Sequence, residues 1–127
     1  MPYQLTWHLD RRIIFQHVWD DMDAEAIQEL SDLTIQRLDE GIAPVHLIAD
    51  LSAMKEFPTS LTVLRAAITY IRHPSLGWVV LVRASPLATL IGNLISHTAG
   101  LKIEHCETIE EAAAFLQKQD ETLAINA

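Results

Sequence analysis

Half of the 127 residues are apolar, enough for one domain over 1–127 with a buried core and too many for a disordered chain. Seventeen acidic against nine basic side chains give a formal charge of −8, so the basic face that a nucleic-acid binder needs is missing. No apolar run reaches the roughly 18–20 residues that cross a bilayer, so no membrane span is expected.

Tyr3–Leu9 and Ile13–Trp19 are short runs rich in aromatic and β-branched residues, and Asp10–Arg12 between them is polar and turn-like. This predicts a β-hairpin, with Trp7 and Trp19 as packing residues. Asp20–Gly41 reads as a helix. Acids cluster at its start, where the helix dipole favours them, and Asp23 is placed to cap it. Ile27, Leu30, Leu33 and Leu38 form its apolar stripe. Gly41 is expected to end it in the left-handed conformation, with Asp39 and Glu40 solvated.

Val45–Ala49 is nearly continuous in apolar residues and predicts a buried strand. Asp50 marks its end, and the polar stretch after it reads as a loop into a helix over Pro58–Arg72. After the loop His73–Gly77, Trp78–Val82 is another buried strand. Ser85-Pro86 begins a helix that Gly100 ends, apolar on most sides through Leu87, Leu90, Ile91, Leu94 and Ile95. Lys102–Cys106 is a short strand. Thr108 and Glu111 then fit a capping box, and Ile109, Ala112, Phe115 and Leu116 supply the buried side of the last helix. The order β-β-α-β-α-β-α-β-α implies an α/β fold with a mostly parallel sheet of four or five strands. Ile13–Trp19, Val45–Ala49, Trp78–Val82 and Lys102–Cys106 are expected as sequential parallel neighbours, with Tyr3–Leu9 antiparallel at one side.

Motifs for chemistry are sparse. Neither GxxxxGK[ST], GxGxxG nor GxSxG occurs, so no cofactor is signalled. The histidines (His8, His17, His46, His73, His97, His105) show no metal-ligand spacing. His105 and Cys106 are adjacent on a strand and therefore point to opposite faces, a poor arrangement for a nucleophile pair. Asp50 has no second carboxylate or oxyanion device to complete a catalytic set, which argues for a protein that is not an enzyme. Cys106, the single cysteine, allows no internal disulfide. The N-terminal MPYQLTWHLDRR has no basic-then-apolar signal pattern, and together these predict a cytoplasmic protein.

Asp50-Leu51-Ser52, together with the order of elements from about Tyr3 to Gln117, resembles the STAS (SpoIIAA-like) domain of anti-sigma-factor antagonists, whose fold class includes lipid-binding proteins. The resemblance implies a SpoIIAA-like fold and a regulatory, protein-binding role, with partners contacted through the Asp50–Ser60 loop (Asp50, Ser52, Lys55, Glu56) and the helix after it. The family's Asp-Ser-x-Gly is replaced. Pro58 stands for its Asp, Thr59 for its phosphorylated Ser, and Leu61 for its Gly. Thr59 and Ser60 are therefore read as helix caps first and as phosphoacceptor candidates second. The alternative function is a carrier or sensor of a lipid or small apolar ligand, lined by the Ser85–Gly100 helix. Ala88, Gly92, Ser96 and Ala99 form a stripe of small residues on that helix, which predicts close approach of a second copy in a homodimer.

Overall fold

A computed structural model describes residues 3–21, 23–56, 69–86, 89–90, 92–93, 97 and 100–123. Five strands form one sheet in the order β1-β2-β3-β4-β5: Tyr3–Leu9 (β1), Ile13–Asp21 (β2), Val45–Glu56 (β3), Leu76–Val82 (β4) and Ile103–Cys106 (β5). β1 runs antiparallel to β2, and β2 to β5 are parallel neighbours, as the strand–helix alternation predicts. Two α-helices are defined among the described residues, Ala24–Glu40 (α1) and Ile109–Gln119 (α2). Pro86, Thr89, Leu90, Gly92, Asn93 and His97 are also helical, and Gly100 follows them with φ +69°.

The two α-helices take opposite faces of the sheet. Ile14, Leu47 and Val79 point to one face, where α1 contributes Leu38; Ala26, Ile27 and Leu30 of α1 pack with Tyr3 and Val18 at the β1–β2 side. Ile13, Ile48, Val80 and Val82 point to the other, where Ala112 and Leu116 of α2 and Leu123 close over them. The alternation of β2, β3 and β4 between these sets is why their sequences are apolar on both faces. Each fully buried Leu or Ile contributes roughly 1.5–3 kcal/mol.

Helix ends follow local chemistry. Asp23 Oδ1 accepts the Ala26 N–H at 2.8 Å, and Thr108 Oγ1 accepts the Glu111 N–H at 3.0 Å. Glu111 reaches back to the Glu107 N–H at 3.4 Å, one residue before the cap. Asp39 and Glu40 are exposed and meet His73 and Arg37 at the surface.

Several boundaries differ from the sequence reading. Asp20 and Asp21 are the end of β2, not the start of a helix, because they pair with Met54 and Glu56. Gly41 has an extended backbone (φ −80°). Its lack of a side chain serves space, since a Cβ there would stand 2.5 Å from Val45 Cγ2. Thr69–Arg72 is a short 3-10 turn, and residues 57–68 lie outside the described residues. The largest difference is β3. The stretch Asp50–Glu56, expected as a loop, continues the strand.

Candidate functional site

The continuation of β3 is built around the Asp-Leu-Ser motif. β4 accompanies β3 only as far as the pair Asp50–Val82, and from there to Glu56 the strand is paired with β2. Between His17–Asp50 and Trp19–Ala53, β3 holds one residue more than β2, a β-bulge. Asp50 pins it: its Oδ1 accepts the Ser52 N–H at 3.0 Å and the Ser52 hydroxyl at 2.7 Å. The motif is thus a bulge device at the point where, among the described residues, β2 and β3 run on past the other strands as a two-stranded arm. Leu51 and Met54 pack toward α1, and Ser52 is exposed.

Next to it on β2, Phe15, His17 and Trp19 occupy alternate positions on the face that carries α2. Their rings follow one another at centroid distances of 6.2 Å and 5.1 Å. Phe15 packs at the margin of the α2 core, and His17 and Trp19 are partly exposed. Trp7 faces the α1 side and packs there as expected. Asp50 Oδ2 lies 4.0 Å from His17 Nε2.

The other site candidates are placed less tightly. The backbone of Lys55 and Glu56 is in β3 rather than a loop, while Thr59, Ser60, Ala88 and Ser96 lie outside the described residues. Gly92 is buried against its own sheet, where a Cβ would come within 3.2 Å of Leu81 Cδ1. The close approach that this glycine permits is therefore made within the chain. Leu90, two residues before, is 57% exposed.

A pocket of about 190 Å³ opens at the ends of β4 and β5, lined by Arg83, Ala84, Thr89, His105, Cys106, Glu107 and Glu111. Its volume is below the roughly 300 Å³ at which sites for drug-sized ligands begin, and its walls are polar. Burial, with Glu104 and Glu111 nearby, pushes the Cys106 thiol above its ordinary range, the reverse of an activated nucleophile. Among the described residues, no group of three or more His, Cys, Asp or Glu is arranged to hold a metal ion. No helix among them is long and apolar enough to cross a membrane.

At the opposite end of the sheet lies a polar cluster that sequence reading missed. His46, its side chain 3% exposed, accepts the Trp78 N–H on Nδ1 at 2.9 Å. Its ring proton is therefore on Nε2, which donates to Asp120 Oδ2 at 2.8 Å. Arg12 Nη2 donates to the same oxygen at 2.9 Å, and the Thr122 N–H and hydroxyl bind Asp120 Oδ1. Burial opposes the Asp120 carboxylate, yet the hydrogen bonds from His46 and Thr122 outweigh it and hold its pKa down to about 2. Burial lowers the pKa of His46, more than the hydrogen bond and charge of Asp120 raise it, and Arg12 and Lys102 add to the lowering. Gly77 makes the arrangement possible, since a Cβ there would lie 2.5 Å from His46 Nδ1. The cluster ties the segment after α2 to the starts of β2 and β3, a fastening role. Glycine beside an aromatic strand was its one trace in the sequence.

No family model matches the sequence, and no curated protein does. Solved structures do. The anti-sigma factor antagonist SpoIIAA in its unphosphorylated form matches with TM-score 0.67 and 13% identity, covering 91% of this chain and 97% of that one. A protein of Shewanella loihica PV-4 with a SpoIIAA-like fold matches with TM-score 0.66 and 12% identity, covering 90% and 91%. The Bacillus cell fate determinant SpoIIAA in its phosphorylated form matches with TM-score 0.56 and 16% identity, covering 90% and 98%. With its sequential β1–β5 sheet and flanking helices, the chain has the SpoIIAA-like (STAS) fold.

Proposed function

We propose that the protein is a regulatory protein-interaction module, not an enzyme, that meets its partner through the arm at Asp50–Glu56 and the segment that follows. The observation that carries this reading is the bulge. Ser52 spends its N–H and hydroxyl on Asp50 Oδ1, which fixes the direction in which the arm leaves the sheet, while Asp50 Oδ2 faces His17. The fold of an anti-sigma factor antagonist supports a protein as the partner class. The apolar-ligand reading gains nothing from the small, polar pocket beside Arg83 and Glu107.

Photo-crosslinking in the source cell tests it. A benzoylphenylalanine at exposed Ala53, which leaves the Asp50–Ser52 bonds in place, should give a discrete protein adduct, and the same group at exposed Gln28 on α1 should not. Equal adducts at both positions, or none at Ala53, would overturn the reading.

A further inference from the structure

We infer that the Phe15–His17–Trp19 face of β2, with Asp50 at its border, seats a basic residue of the partner: an Arg or Lys flanked by an apolar side chain. This deepens the interaction-module reading and rests on it.

The face exists because α2 covers only part of its side of the sheet. α2 lies over β3, β4 and β5, and its core reaches Ile13 and the margin of Phe15. Beyond that, the β2 side chains on this face are aromatic and partly exposed, the side chain of His17 to 36%. The neighbouring β1 positions on the same face are Thr6, opposite Phe15, and Gln4, opposite His17. Both are exposed and uncharged. They border the stripe without covering it.

Charge decides what fits. Asp50 borders the stripe on the β3 side, its Oδ2 turned toward His17. A ring face beside a carboxylate attracts a cation twice, through the ring quadrupole and through a charge-assisted hydrogen bond. Of the described cations, Lys55 in the β3 arm is the exception, and the others stand elsewhere. Arg11, Arg12, Arg37, Arg72, Lys102 and Lys118 lie in turns or helix ends at the pole where the parallel strands begin. Arg83, beyond the end of β4, lines the pocket that holds Glu107 and Glu111. The chain as a whole carries −8, so a basic partner is also favoured at long range.

The experiment is a selection of random dodecapeptides displayed on phage against the intact protein, with Kd of the enriched peptides measured by fluorescence polarisation. Enriched sequences should carry Arg or Lys next to an apolar residue. Asp50→Asn keeps the acceptor for Ser52 and should weaken them roughly fivefold, about 1 kcal/mol. Gln4→Lys and Gln4→Glu change only an exposed position, and they should weaken and tighten binding respectively, with both effects shrinking as salt rises. Enriched peptides without a cation, or peptides indifferent to both positions, would overturn the basic-residue seat and leave the interaction module standing. A selection that enriches nothing would overturn the seat, while crosslinking at Ala53 would still report on the module separately.

Discussion

Asp120→Ala removes the acceptor on which the fastening of the C-terminal segment depends. His46 Nε2–H loses its partner inside the protein, and leaving a buried donor unpaired costs about 1–3 kcal/mol. Arg12 and Thr122 lose their charge-assisted bonds too, but they are nearer water and recover part of that loss by solvation. The sum comes to about 3 kcal/mol, within the range for breaking one side of a buried ion pair. In urea, with a slope of about 2 kcal/mol per M, the midpoint should fall by roughly 1.5 M. The acid limb should change as well. In the folded protein Asp120 titrates at about 2, against 3.8 for an unperturbed carboxyl. Its contribution is therefore complete above about pH 5 and lost as pH falls toward 2. That depression is worth at most about 2.5 kcal/mol, and screening at this near-surface site (side chain 12% exposed) reduces it to about 1–2 kcal/mol. His46, with its pKa lowered below 6.5, adds a loss of the same sign that begins as pH falls below 6.5. Urea unfolding at pH 7, 5, 3 and 2 reads all of this. The wild type should lose stability at each step, and Asp120→Ala should lack the Asp120 part of the loss between about pH 5 and 2. A midpoint shift under about 0.5 M, or an unchanged acid limb, would refute the fastening role.

Gly77→Ala should drive His46 off the Trp78 N–H, because the new Cβ would sit 2.5 Å from Nδ1, and overpacking of this kind costs about 1–3 kcal/mol. A thermal melt unchanged from wild type would contradict it. Gly92→Leu should lower the melting temperature through collision with Leu81, with no change in sedimentation. Conversion of a dimer to a 14.3 kDa species without loss of stability would instead put the small-residue stripe at a subunit contact. With Pro58 in place of the family's acid before the hydroxyl, we propose that Thr59 and Ser60 are not phosphorylated in the source cell. A phosphopeptide covering Phe57–Leu61 would refute this.

The sequence by itself determined the order of elements, the parallel sheet and its apolar strands, because period and punctuation are local properties. Trp78–Val82 is apolar at successive positions, and Val45–Ala49 at all but His46, since helices cover both faces, and Asp23 and Thr108 cap helices through bonds three residues long. Asp50-Leu51-Ser52 was legible as a motif, but not as a bulge. Polar residues after an apolar run read as a loop unless a paired strand is known, and β2 supplies that pairing from more than thirty residues away. The alternation Phe15–His17–Trp19 was visible too, yet whether an aromatic strand face is core or surface depends on where α2 ends over the sheet. His46, Gly77, Arg12 and Asp120 span more than a hundred residues of chain and carry no spacing signal. Only the tertiary structure brings them together, because burying a histidine at the start of the central strand requires an acceptor, which Asp120 of the C-terminal segment supplies.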